Sequence, residues 1–140
     1  MKNITIATFL CAVLMASATV FAADETAPVK PTVTIDKVPN IAPGPDGMDE
    51  ISGKVSGVKN PTECKVIIYA FGDKWYVQPT RDEKKTEIEK DLTWATQTHG
   101  GFEYAALLVK SSFTAADTLK SLPKEGGDVL AITKQKPKKD

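Results

Sequence analysis

Two stretches of this chain are apolar at almost every position, and they limit what it can fold into. Val66-Ile67-Ile68-Tyr69-Ala70-Phe71 carries apolar residues at both parities, and Phe102 to Val109 becomes apolar on both faces toward its end. Successive side chains of a strand point to opposite faces, so such a run reads as a central strand covered on both sides. Val66, Ile68 and Ala70 are expected to face one core. Ile67, Tyr69 and Phe71 then need a second cover, or Tyr69 turns its hydroxyl to water.

The neighbouring segments are short, and turn residues separate them. Thr32 to Val38 is rich in β-branched residues and reads as a first strand, ended by Pro39. Asn40 to Asp49, with Pro43, Gly44, Pro45 and Gly47, reads as a loop. In the next strand Ile51, Gly53 and Val55 share a face, opposite Ser52, Lys54 and Ser56. Lys59 to Thr62 is a turn. Gly72-Asp73 suits a hairpin turn leading to the strand Lys74-Trp75-Tyr76-Val77-Gln78-Pro79.

Thr80 to Lys85 reads as a charged loop, followed by a short strand Thr86–Glu89 with Thr86 and Ile88 inward. Leu92, Trp94, Thr96 and Thr98 share a face of the strand after it, and His99-Gly100-Gly101 reads as a turn. In the strand beginning at Phe102, Phe102 and Tyr104 alternate with Glu103 and Ala105. Thr114 to Asp117 resembles a capping box and predicts one helical turn through Leu119. The last strand covers Asp128 to Thr133. Seven or eight short strands at this spacing predict an all-β, antiparallel Ig-like or fibronectin-like β-sandwich, with at most one short helical turn. A βαβ arrangement is disfavoured, because no helix of crossover length separates the strands.

The ends read differently. Lys2, the apolar run Ile4 to Met15 and the small residues leading to Val20-Phe21-Ala22 have the form of a secretory signal peptide over residues 1–22. The run is short for a membrane span, so no stable membrane insertion is expected after cleavage. Thr8-Phe9-Leu10 before Cys11 lacks the small residues of a lipoprotein signal. Residues 23–30 read as a disordered lead-in, 31–133 as the sandwich and 134–140 as a basic disordered tail. Periplasmic or secreted localisation follows as the expectation. With the leader removed, Cys64 is the one cysteine left, so the domain must hold by packing rather than by an internal disulfide.

Eighteen basic residues balance eighteen acidic ones, which argues against a nucleic-acid partner. Catalytic motifs are missing. His99, the single histidine, has no partner that the sequence nominates. Asp82, Glu83, Glu87, Glu89 and Asp91 supply carboxylates in number, but in a hydrophilic run that reads as solvated surface. One cysteine and one histidine do not make a zinc site, and Asp46, Asp49 and Glu50 lack the calcium-loop spacing. No cofactor or metal is expected.

The aromatic residues offer more. Trp75, Tyr76, Trp94, Phe102 and Tyr104 include rings that could stack on a sugar face, with Gln78, Asp73 or Arg81 bonding hydroxyls. Alternation puts Trp75 and Tyr76 on opposite faces, and Trp94 shares its face with Leu92 and is expected to be buried. The candidate ligand-binding residues are therefore Trp75, Tyr76, Gln78, His99 and Tyr104. The reading is a non-catalytic binding module for an extracellular glycan or an envelope protein. A structural protein of the bacterial envelope working through sheet edges is the alternative, and a glycoside hydrolase the more distant one.

Lys65 to Ala70, Lys74 to Pro79, Leu92-Thr93-Trp94, Thr98-His99-Gly100 and Tyr104 to Val109 together resemble a bacterial secreted Ig-like β-sandwich module, similar to accessory domains of extracellular carbohydrate-active proteins. The resemblance spans roughly Ile51 to Ile132 and implies the fold and export, but no binding residues. Where modules of this kind carry Asp-Gly before the Thr-Trp pair, this chain has Asp91-Leu92.

Overall fold

The computed structural model describes residues 27–138. The signal-peptide segment, residues 23–26 of the lead-in and the last two residues of the tail lie outside them. Eight strands follow one another: β1 (Thr32–Val33), β2 (Gly44–Ser56), β3 (Cys64–Phe71), β4 (Trp75–Gln78), β5 (Thr93–Gly100), β6 (Glu103–Lys110), β7 (Thr118–Leu119) and β8 (Val129–Gln135). They form two antiparallel sheets, ordered β1-β2-β5 and β7-β4-β3-β6-β8. In immunoglobulin lettering β1, β2 and β5 stand as A, B and E, and β4, β3, β6 and β8 as C′, C, F and G. β7 is added outside C′. The chain is an all-β, Ig-like sandwich, as the strand spacing predicts.

The two doubly apolar runs are β3 and β6, paired at the centre of the larger sheet from Cys64↔Lys110 to Phe71↔Glu103. One face, with Val66, Ile68, Ala70, Tyr104, Ala106 and Leu108, packs against Ile51, Val55 and Trp94 of the smaller sheet. The other face carries Ile67, Tyr69, Ala105, Leu107 and Val109, joined by Trp75 and Val77 of β4. The second cover is the segment from Phe113 to Leu122, which lays Phe113, Ala115, Leu119 and Leu122 on that face. Removing this cover would expose side chains whose burial is worth about 2 kcal/mol each. Polar bonds pin it in place. The Tyr69 hydroxyl donates to the Ala116 carbonyl at 2.8 Å, and Val77 N–H donates to the Asp117 carbonyl at 2.9 Å.

Several boundaries differ from expectation. The supposed loop before Asp49 is mostly strand: β2 begins at Gly44, and a register shift between Gly44 and Met48 absorbs the proline and glycine residues. His99 and Gly100 finish β5 instead of turning. β4 is four residues long and starts at Trp75, since Gly72, Asp73 and Lys74 all belong to the hairpin loop. Thr86 makes a single bridge to Val66 in place of a strand over Thr86–Glu89, although Thr86 and Ile88 do point inward. The helical turn expected at Thr114 is absent: that segment runs extended into β7, because covering the sheet outranks the local capping pattern. One 3-10 turn occurs instead at Pro61–Glu63, capped by Asn60. β1 is two residues long, yet the chain stays beside β2 through Lys37. β8 runs on to Gln135, so two residues assigned to the tail are in the sheet.

Two local features show how tightly the smaller sheet is drawn. A side chain at Gly53 would meet the Thr34 carbonyl oxygen at 1.9 Å and the Trp94 ring at 2.8 Å. Glycine there lets both approach. Leu92, directly after Asp91, has a φ of 66°, in the left-handed region that glycine adopts without strain.

Candidate functional site

Tyr76 and Gln78 point to the same side of β4, opposite Trp75 and Val77. Their side faces the space between the sheets. At this end of the sandwich the β3–β4 hairpin, the β5–β6 corner and the start of β2 stand around a cleft of about 490 Å³. Its walls are Pro43, Pro45, Phe71, Tyr76, His99 and Phe102, with Asp73 at the lip. The volume and the apolar walls suit a small ligand or one or two rings of a larger one.

Each wall has a structural cause. Gly100 has no Cβ, and one built there would lie 1.9 Å from the Ala42 carbonyl oxygen. That closeness brings Pro43 and Pro45 against the end of β5. Phe71 packs against Trp75 with ring centroids 5.0 Å apart and planes at 52°. Phe102 sits at the corner just before β6 and is 62% exposed, whereas alternation from Tyr104 would have turned it inward. The corner explains the difference: Phe102 N–H donates to the Phe71 carbonyl at 2.9 Å, and β6 proper begins one residue later.

The polar groups are few and held in place. Gln78 is buried, and its Oε1 accepts the His99 backbone N–H at 2.9 Å. The same oxygen lies 3.0 Å from His99 Nδ1. An oxygen that already accepts from one nitrogen requires a donor at the second, so neutral His99 carries its proton on Nδ1. Gln78 Nε2 donates to the Tyr76 carbonyl at 3.3 Å, which fixes the amide orientation. Nε2 of His99 then remains as an acceptor, with no protein partner among the described residues. At the lip the Tyr76 hydroxyl donates to Asp73 Oδ1 at 2.6 Å. That bond holds the Asp73 carboxyl below the usual carboxylate range and pushes the Tyr76 phenol up. Lys74 Nζ stands 5.4 Å from the Tyr76 ring centroid, within cation–π range.

Three of the five candidate residues meet here, Tyr76, Gln78 and His99. The other two do not. Trp75 is buried in the outer core against Phe71. Tyr104 is fully buried, and its hydroxyl oxygen accepts the Gly101 N–H at 2.9 Å. A tyrosine near the start of strand F bonded to the backbone just upstream is the tyrosine corner of Ig sandwiches. Tyr104 therefore belongs to the framework, and burial raises its phenol pKa. Trp94 is buried, as its strand parity predicts. Phe102, named among the rings that could stack but not among the five candidate residues, is the ring that completes the cleft. The signal was its position two residues before the corner tyrosine, directly after Gly100-Gly101.

Arg81 lies away from the cleft, 4.0 Å from Asp117. Cys64 is buried and desolvation raises its thiol pKa, so it behaves as a packing residue. Among the described residues no three His, Cys, Asp or Glu side chains gather where they could hold a metal ion. Comparison of this chain with protein-family models, with curated proteins and with solved structures finds no match.

Proposed function

We propose that this protein is an exported, non-catalytic binding module whose ligand, an extracellular glycan, seats in the cleft at the mouth of the sandwich. One observation carries the reading: the exposed rings of Tyr76 and Phe102 line the same cleft, beside an ionised carboxylate and a histidine acceptor. A pyranose presents C–H groups on its faces and hydroxyls around its rim. Aromatic walls take the faces, and Asp73 and His99 Nε2 accept from the rim. The export half of the proposal rests on the signal-like composition of residues 1–22. The non-catalytic half is supported by His99 Nδ1 facing the Gln78 amide, which orients the ring without activating it as a carboxylate would.

The test is a glycan array followed by calorimetry on the best binder. Phe102→Ala and Tyr76→Ala are expected to weaken binding about tenfold each, in line with a lost stacking contact. Binding that survives both substitutions unchanged would remove the cleft from the account.

A further inference from the structure

β5 is the outer strand of the smaller sheet. Val55 N–H donates to the Leu92 carbonyl at 2.8 Å, and this bond sets the phase of the β2–β5 ladder. Trp94, Thr96 and Thr98 direct their main-chain groups to β2, whereas Thr93, Ala95, Gln97 and His99 direct theirs outward. Both ends of the outward edge are closed. Glu89 N–H donates to the Thr93 carbonyl at 2.8 Å, and Asp91 Oδ1 accepts the Thr93 N–H at 3.1 Å. At the other end Gln78 Oε1 accepts the His99 N–H, and the Thr98 hydroxyl donates to the His99 carbonyl. Between these ends Ala95 and Gln97 are exposed, and among the described residues their outward N–H and C=O groups have no partner.

Immunoglobulin constant-type sandwiches place strand D beside E at this edge. Here the connection from Pro79 to Leu92 passes by without supplying one. Three of its four basic side chains are drawn toward the larger sheet and its cover: Lys84 to Asp117 at 2.5 Å, Lys85 to the Ser111 carbonyl at 2.6 Å, and Arg81 toward Asp117. A trough of about 640 Å³ is left between this segment and β5, lined by Pro79, Glu83, Thr86, Glu89, Ala95 and Thr96 among others. It continues past Gln97 toward Glu50 in a second hollow of about 370 Å³. Thr86 carries a buried hydroxyl with no hydrogen-bond partner among the described residues. Asp82, Glu83 and Glu89 have no ion-pair partner among them either, and with Glu87 they outnumber Arg81, Lys84 and Lys85 in the lining four to three, so the trough carries a small excess of negative charge. The other long outer strand, β8, is protected: the Glu125 carboxylate accepts its Ile132 N–H and pairs with Lys30.

We propose that the β5 edge receives an extended, lysine- or arginine-bearing segment of a partner protein as an added strand in the D position. The segment bonds to Ala95 and Gln97, and its cations meet Glu83 and Glu89. Main-chain pairing supplies affinity and the acidic trough selects the partner. This surface shares no residue with the cleft, so it stands or falls independently of the glycan reading.

The probe is a synthetic eight-residue peptide of alternating threonine and lysine, titrated into the ¹⁵N-labelled protein. A control peptide of the same sequence is N-methylated at every residue. Saturating amide shifts at Ala95 and Gln97 are expected, weakened about tenfold or more by N-methylation and by the double substitution Glu83→Lys, Glu89→Lys. Those two glutamates are exposed, so the double variant keeps its fold. Ala95→Pro deletes the outward N–H, a change that an edge strand tolerates, and abolishes the shifts. Binding that ignores N-methylation reduces the trough to a charge contact and overturns the proposal, as does an absence of shifts at β5. A concentration-dependent dimer that Ala95→Pro dissolves would assign the edge to a second copy of this chain instead.

Discussion

At the residue scale, the same side-chain type does opposite work at different depths. Tyr76 holds Asp73 at a solvent-facing lip, Tyr69 pins the outer cover, and Tyr104 locks the β5–β6 corner. The sequence lists three tyrosines in an aromatic tract and gives no ranking among them; parity separates Tyr76 from its neighbours, but only the partner of each hydroxyl reveals its task. Tyr104 is the sharpest case, since it was a ligand-contact candidate and is a framework residue. Tyr104→Phe leaves the Gly101 N–H without its acceptor in a buried corner. It is expected to cost about 1–3 kcal/mol in urea unfolding. Ligand affinity in the cleft should stay within about twofold, a result opposite to that of Phe102→Ala.

At the element scale, the central strands were legible because burial on both faces leaves a mark that nothing else in a short β protein imitates. β3, β6 and the hairpin into β4 follow from it. The inward set Ile51, Gly53 and Val55 was readable from alternation as well. What stayed hidden was set by distant contacts. Gly44 to Met48 has loop composition but is held as strand by pairing with β5, and Thr114 to Asp117 has a helix-start pattern but is flattened by the sheet beneath it. Phe102, though named among the rings, stayed off the candidate residues because alternation sets it on the face of Tyr104, and alternation does not run through a corner. The cleft itself was invisible for the same reason: Pro43, Asp73 and His99 come from three separate elements. Gly53 tests how far packing dictates these elements. Gly53→Ala drives a methyl into the Thr34 carbonyl and the Trp94 ring, and is expected to destabilise the protein by about 3 kcal/mol, read from the shift of the urea midpoint at constant slope.

At the scale of the whole molecule, stability is expected to depend on pH mainly at the extremes. Burial pushes the Tyr69 phenol up to about 12, with the Ala116 bond pulling the other way. Unfolded tyrosine titrates near 10. The folded chain therefore keeps this proton where the unfolded chain has lost it, and stability falls as the pH rises. The contribution, on the order of 3 kcal/mol, is whole below about pH 10 and gone above about pH 12. Thermal melts from pH 8 to 11.5 should show a steepening drop past pH 10, shallower in Tyr69→Phe. In acid the sign reverses. The carboxyls of Asp73, Asp49, Asp91, Asp117 and Glu125 are all held low by hydrogen bonds, so their support is present at neutral pH and fades as the pH falls below the ordinary carboxylate range.

The division of the interior into two cores has an optical consequence. The chain's two tryptophans are shared out one to each: Trp94 lies between the sheets, and Trp75 lies beneath the outer cover. Replacing either by phenylalanine leaves a single indole that reports on one layer alone. Emission from Trp75 then follows the lifting of the 113–122 cover, and emission from Trp94 follows the parting of the sheets. The protein thus carries its own pair of probes for whether its layers come apart together or in turn.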